Sequence, residues 1–146
     1  MMEIRKTTKS NLTDAAELAV KLWPGHEKCD LEAEFAKLLE DADAAIFLAV
    51  ADGTAVGFAQ CQLRHDYVEG TESSPVGYLE GIYVRKSFQK RGIAKSLLSA
   101  CENWAKEKGC EEFASDCELT NTNSLAFHLN VGFKEANRII CFTKKL

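Results

Sequence analysis

Glu80 stands on a row that is otherwise apolar. Between Tyr78 and Val84 the alternation puts Tyr78, Glu80, Ile82 and Val84 on one face of a strand and Leu79, Gly81 and Tyr83 on the other. Asp116 falls near the end of a second strand-like run, Glu112 to Cys117. Carboxylates in such places suit chemistry on an amine. An aliphatic ammonium has a pKa of roughly 10 and is mostly protonated at neutral pH. A carboxylate can hold it, directly or through water, and accept its proton as a new bond forms. Directly after Val84 comes a basic turn, Arg85 and Lys86 and then Gln89-Lys90-Arg91-Gly92-Ile93-Ala94, which opens a helical pattern. The first N–H groups of a helix have no intrahelical partners and the dipole there favours negative charge, so this turn suits a bound anion. Gly92 removes the Cβ that would keep a ligand from the backbone.

Each residue also has a purely structural reading. Glu80 can be a structural carboxylate paired with Arg64 or a backbone amide, and Asp116 a cap or turn residue ahead of a helix at Asn121. His128 can be a packing histidine, Trp23 a core residue, and Arg85 and Lys86 a solvated turn. The turn contains neither G-x-x-x-x-G-K-(S/T) nor G-x-G-x-x-G, which sets two other phosphate loops aside.

The elements that must position these residues can be read in order. A chain of 146 residues is expected to form one domain, 1–146, with a single core. Glu3 to Thr8 reads as an edge strand. A helix capped by Ser10 or Asn11 follows and stops at Pro24-Gly25, and a second runs from Asp30 to Leu39. Ala44 to Ala51 and Thr54 to Leu63 read as strands joined by Asp52-Gly53, a hairpin signal. Arg64 to Pro75 is a polar loop carrying His65, Asp66, Tyr67, Glu69 and Glu72. After the Tyr78 strand, a helix runs from Gly92 to Lys108 with Gly109 as its stop. Then come the Glu112 strand, a helix over Asn121 to Asn130, and one or two closing strands in Phe133 to Lys145. The expected class is α/β (α+β), a mixed sheet with helices on two faces.

Composition narrows the setting. A net charge of −4 argues against a general nucleic-acid binder and is compatible with a cationic substrate. No apolar run has the length of a membrane span and no signal-peptide pattern opens the chain, so a cytoplasmic location is expected. Six cysteines without a C-x-x-C pair, several inside apolar patterns, point to reduced, buried thiols and to no metal.

The turn and its flanking strand and helix resemble motif A of the Gcn5-related N-acetyltransferase (GNAT) superfamily, (Gln/Arg)-x-x-Gly-x-(Gly/Ala), filled here by Gln89, Gly92 and Ala94. The resemblance implies an acyl-CoA pyrophosphate on the backbone amides of Gln89, Lys90, Arg91, Gly92, Ile93 and Ala94. It also implies cofactor contacts from Ile82, Tyr83, Val84, Lys95, Asn121 and His128, and a thioester carbonyl met by a strand-four N–H near Val84. The implied sheet has six or seven strands, the fourth and fifth splayed around pantetheine. Asn121 to Phe133 resembles motif B, with His128 where many members carry a tyrosine that protonates the CoA thiolate.

More of the chain is similar to one branch, the aminoglycoside 6′-N-acetyltransferases of the chromosomal Enterobacteriaceae and Acinetobacter type. The residues are Trp23-Pro24-Gly25-His26, Arg64 to Val68, Ser73 to Val76, Leu79 to Ile82 and Ala114-Ser115-Asp116. Members of that branch also tend to carry a histidine at the position of His128. The similarity implies transfer of acetyl from acetyl-CoA to the 6′-amine of kanamycin- or tobramycin-like sugars, antibiotic resistance, and a homodimer. Glu80 and Asp116 would contact the amine, with Trp23, His26, Tyr67 and the acidic loop lining the sugar site. An acetyltransferase for another small amine or a protein N-terminus, or a non-catalytic acyl-CoA-binding module, is the alternative. Neither a membrane nor a nucleic acid is an expected partner.

Overall fold

The computed structural model describes residues 1–146, and its centre is a five-stranded sheet in the order β1-β2-β3-β4-β5. The strands are β1 (Met2–Lys6), β2 (Ala44–Ala51), β3 (Thr54–Arg64), β4 (Val76–Val84) and β5 (Phe113–Ser115). The first four pair antiparallel, and β5 lies parallel to β4. A parallel neighbour needs a crossover, which α3 (Ile93–Glu107) supplies. Two further helices, α1 (Leu12–Leu22) and α2 (Lys28–Leu39), cover one face; α3 and the short α4 (Thr122–Asn130) cover the other.

Each face has its own core. Ala15, Leu18 and Ala19 of α1 and Leu31 and Phe35 of α2 close over Ile46, Leu48 and Phe58. Leu97, Leu98, Cys101 and Trp104 of α3 close over Ala45, Val56, Cys61, Leu63 and Leu79. Their spacing on α3 is the helical repeat that places side chains on one stripe. Asn11 stands at the N-cap of α1, one of the two expected positions, although its side chain makes no capping bond to that helix. Thr8 donates its N–H to Asn11 Oδ1 at 2.7 Å, at the start of a single 3₁₀ turn that runs into the helix. Asp30 lies in the first turn of α2 rather than at its cap.

Three expectations need correction. The sheet has five strands, not six or seven, because Lys134 to Leu146 makes no strand pairing within the chain. Ile139, Ile140 and Phe142 in that tail are largely exposed. The alternation through β4 is also broken. Leu79 pairs with Cys61 and Gly81 with Gln60, leaving Glu80 as an extra residue with no partner on β3. This bulge resets the pleat. Leu79, Ile82 and Val84 therefore pack on the α3 side, while Gly81 and Tyr83 face α1. Finally, only Cys61 and Cys101 are buried; Cys29, Cys117 and Cys141 are exposed and Cys110 is half-buried, all six as free thiols. A hydrogen bond with the Cys61 thiol, and then burial, push the Cys101 pKa well up and leave that thiol inert.

The feature that matters most for function is where β4 and β5 stop pairing. Their register runs Gly77 to Phe113, Tyr78 to Ala114 and Leu79 to Ser115, and ends there. The remainder of β4, from Glu80 to Val84, has no strand on that side, so the two strands part beside the bulge.

Candidate active site

The parting strands carry the two expected carboxylates to one wall. Tyr78 donates its hydroxyl to Asp116 Oδ2 in a short hydrogen bond. Arg64, the last residue of β3, places its guanidinium 3.4 Å from the centroid of the Tyr78 ring. The same guanidinium forks Glu80, with Nε 3.1 Å from Oε2 and Nη2 2.9 Å from Oε1. Glu80 thus does have the Arg64 partner that its structural reading called for. It still retains 21% of its side-chain surface in contact with solvent, and it sits where β4 loses its β5 neighbour. Asp116 is not the cap of α4. That role belongs to Asn121, whose Oδ1 accepts the Ser124 N–H at 3.1 Å.

The electrostatics follow from these contacts. Partial burial alone would lower the Arg64 pKa, but the hydrogen bonds and charge of Glu80 outweigh it and raise the guanidinium further above its ordinary value. Burial raises the Tyr78 phenol, and its hydrogen bond to Asp116 and that residue's charge raise it more, so the hydroxyl remains a donor.

The basic turn differs in one respect from what its residue types suggest. Gln89 spends its side-chain amide on the carbonyl of Val84, 2.9 Å away, and so closes the turn rather than facing outward. Lys90 adopts φ 62° and Gly92 φ 80°, and a Cβ at Gly92 would meet nothing within 4 Å. The backbone N–H groups of Ile93, Ala94 and Lys95 open α3 without intrahelical partners, and no acidic residue lies in that first turn. Lys90, Arg91 and Lys95 are exposed around it, whereas the Ile93 side chain is buried and offers only its backbone. The turn fits a diphosphate. Ile82 and Tyr83 are half-buried along the open side of β4, and Val84 is buried.

The remaining expected residues surround the opening unevenly. Trp23 lies against the backbone of Gly81, where an added Cβ would come within 2.6 Å of its Cζ2, and meets Phe58 edge-on with centroids 6.0 Å apart. It is half core and half wall. His26 is exposed in the turn that follows. Tyr67 is 75% exposed on the loop between β3 and β4, with Asp66, Glu69 and Glu72 also exposed. His128 has both ring nitrogens engaged. Nδ1 lies 2.7 Å from the Ser124 carbonyl, which can only accept, so Nδ1 is assigned the proton and Ser115 Oγ–H donates to Nε2 at 2.7 Å. One small surface hollow lies beside Lys6 and Trp104, and a second, lined by Met1, Phe88, Arg91 and Ile93, adjoins the basic turn.

One positioning contact gave no warning in the sequence. Glu112 Oε1 accepts the N–H groups of Glu72 and Ser73, each at 2.9 Å, and the Ser73 hydroxyl at 2.5 Å. The Ser73 hydroxyl first, and then the Glu72 amide, hold its carboxyl below the usual glutamate range. This latch fastens the acidic loop to the start of β5. Nothing in the pattern of Glu111-Glu112 separates it from a solvated pair.

A strand bulged at a carboxylate, a parted parallel neighbour and a helix opened by free amides agree with the family model for the GNAT acetyltransferases, which matches residues 12–133. The chain belongs to the GNAT acetyltransferase family. It is 44% identical over 144 residues to the aminoglycoside N(6′)-acetyltransferase type 1 of Salmonella enteritidis, across 99% of both chains. It is 41% identical to the enzyme of the same name from Acinetobacter haemolyticus, again across 99% of both. Among solved structures it superposes with a TM-score of 0.96 on AAC(6′)-Iy in complex with the bisubstrate analog CoA-S-monomethyl-acetylneamine. That match covers 100% of this chain and 99% of the other, at 44% identity.

Proposed function

We propose that this protein is an aminoglycoside 6′-N-acetyltransferase: it moves acetyl from acetyl-CoA to the 6′-amine of kanamycin- and tobramycin-type sugars by direct attack, and so confers resistance. The relatives' names and the bisubstrate complex of AAC(6′)-Iy support the substrate class. The single observation that carries it is the acidic wall: Glu80 is bonded to Arg64, Arg64 stacks on Tyr78 and Tyr78 is bonded to Asp116, at the point where β4 and β5 part.

Acetyl-CoA supplies an activated acyl group on a thiol that can leave. The free amides from Ile93 to Lys95, with Lys90, Arg91 and Lys95 around them, would hold its diphosphate, and the open side of β4 would take the chain leading to the sulfur. Glu80 holds the ammonium and accepts its proton as nitrogen bonds to carbon. The carbon–sulfur bond breaks, and the proton is ultimately balanced at the departing thiol. An unpaired peptide N–H of β4 near Val84 steadies the negative charge on the carbonyl oxygen. Asp116 and the loop acids Asp66, Glu69 and Glu72 receive the other ammonium groups, while Trp23, His26 and Tyr67 lie along the sugar rings. A wet, acidic cleft of this kind steers polycations and loses that pull as salt rises.

Thiol release from acetyl-CoA, measured with kanamycin, tobramycin, spermidine and a short peptide amine, tests the reading. The expected order puts the two aminoglycosides first by kcat/KM. A preference for spermidine or the peptide would move the assignment to another amine.

The active species on this reading is a homodimer of single catalytic domains, 1–146. Support comes from the far side of the sheet. No residue beyond Ala105 is buried, and the apolar tail residues Ile140 and Phe142 are 80% and 87% exposed. A second copy over β5, α4 and the tail would cover them. Sedimentation equilibrium should give twice the 16.2 kDa chain mass; a monomer at micromolar concentration would refute the assembly. A cytoplasmic location accords with six free cysteines, and no helix is long and apolar enough to cross a membrane.

A further inference from the structure

The backbone ladder between β4 and β5 ends at Leu79 and Ser115, yet the two strands remain tied one residue further on. The tie is made of side chains. Glu80 is forked by Arg64, Arg64 lies flat on Tyr78, and Tyr78 reaches Asp116. Tyr78 is itself clamped between Val68 and Val76, with Ala114 of β5 against them. The chain of contacts therefore begins on the bulge of β4, passes through the end of β3 and finishes at the end of β5.

We propose that Arg64 is a positioning residue for acetyl transfer: held flat on the Tyr78 ring, it fixes the carboxylate plane of Glu80. This rests on the role given above to that acid. The physical case is as follows. A glutamate on a bulge has three side-chain torsions and no ladder to restrain it. A planar fork restrains both oxygens at once and leaves their outer lone pairs toward the cleft. Stacking at 3.4 Å fixes the plane of the guanidinium in turn. Arg64 and Glu80 are 42% and 21% exposed, so this pair is too wet to serve mainly as a stabilising bridge. Its value lies in aim.

The same arginine puts a positive charge where a polycation must dock. Aim and affinity consequently pull apart, and that separation is what an experiment can read. In Arg64→Gln, kcat with kanamycin should fall by about 10- to 100-fold, the range set by a misplaced catalytic group. The KM for kanamycin should fall as well, because a repelling charge has gone, and kcat/KM should depend more steeply on salt. Arg64→Lys keeps the charge without the fork. It should show the lowered kcat with a KM near that of the unsubstituted protein. In a Glu80→Gln background, adding Arg64→Gln should cost less than about twofold more, since the arginine acts through the residue already removed.

A loss of activity from partial unfolding would lower kcat alone, and it would also show in the thermal midpoint and in the fraction able to bind acetyl-CoA. If Arg64→Gln does not fold, Arg64→Lys alone, judged by kcat at unchanged KM, decides the matter. Unchanged kcat in Arg64→Lys or Arg64→Gln, a raised KM in Arg64→Gln, or additive losses with Glu80→Gln would overturn the proposal. Full activity in Glu80→Gln alone would instead remove the role given to Glu80, a result distinct from every one of these.

Discussion

Glu80→Gln lowers kcat for kanamycin by about 10²- to 10⁴-fold, the range typical for removing a positioned general base, and leaves the KM for acetyl-CoA unchanged. The amide is close to the carboxylate in shape and can still accept a bond from Arg64, so packing changes little. What disappears is the negative charge that holds an ammonium and the basicity that takes its proton. Asp116→Asn has a different signature. The amide oxygen still accepts the Tyr78 hydroxyl, but the other lobe now presents N–H groups to a cation. A charged hydrogen bond is worth about 1.5–3 kcal/mol, so the KM for kanamycin should rise by roughly 10- to 100-fold at a conversion of 1.4 kcal/mol per decade, with kcat less affected. Steady-state kinetics on both variants check this. Normal turnover in the two together would leave the acidic wall without a catalytic role.

The second large effect comes from a position with no functional group. A Cβ at Gly81 would sit 2.6 Å from Trp23 Cζ2, 2.7 Å from Cη2 and 3.0 Å from Leu22 Cδ2. Trp23 cannot simply step aside, because its other edge packs on buried Phe58. Gly81→Ala should therefore cost about 1–3 kcal/mol, as overpacking does, and displace the indole from the cleft wall. Urea unfolding should show a lowered midpoint at constant slope, and the KM for kanamycin should rise. Gly25→Ala, two residues past Trp23, meets nothing within 4 Å and is the control, with near-normal stability. Equal stability of the two variants would mean that Trp23 is free to move.

The contrast between these positions shows what a linear reading can reach. Gln89 to Ala94 declares itself because glycine, cations and the onset of a helical repeat are all local, and local physics selects that turn. Glu80 declares itself as a polar residue in an apolar run. Its direction does not, because the bulge that turns it is a mismatch with Gln60 and Cys61 on another strand. Register is a property of two segments and is absent from either alone. The same limit explains Gln89, whose amide turns back to Val84, and Glu112, whose partners lie 39 and 40 residues away. Phe133 to Lys145 has the alternation of strands but no partner edge within the chain, so the pattern was present and the pairing was not.

The distribution of burial along the chain also bears on synthesis. All of the buried residues have been made once Ala105 leaves the ribosome, whereas β5, Asp116, α4 and the tail arrive seconds later at about 5–20 residues per second. At that point the chain holds every side chain that ends buried, but it still lacks Phe113, Phe127 and Phe133, which pack against the α3 core, and one of its two acids. The segment that completes the acidic wall is thus also the segment that finishes covering one face of the sheet, and both arrive last.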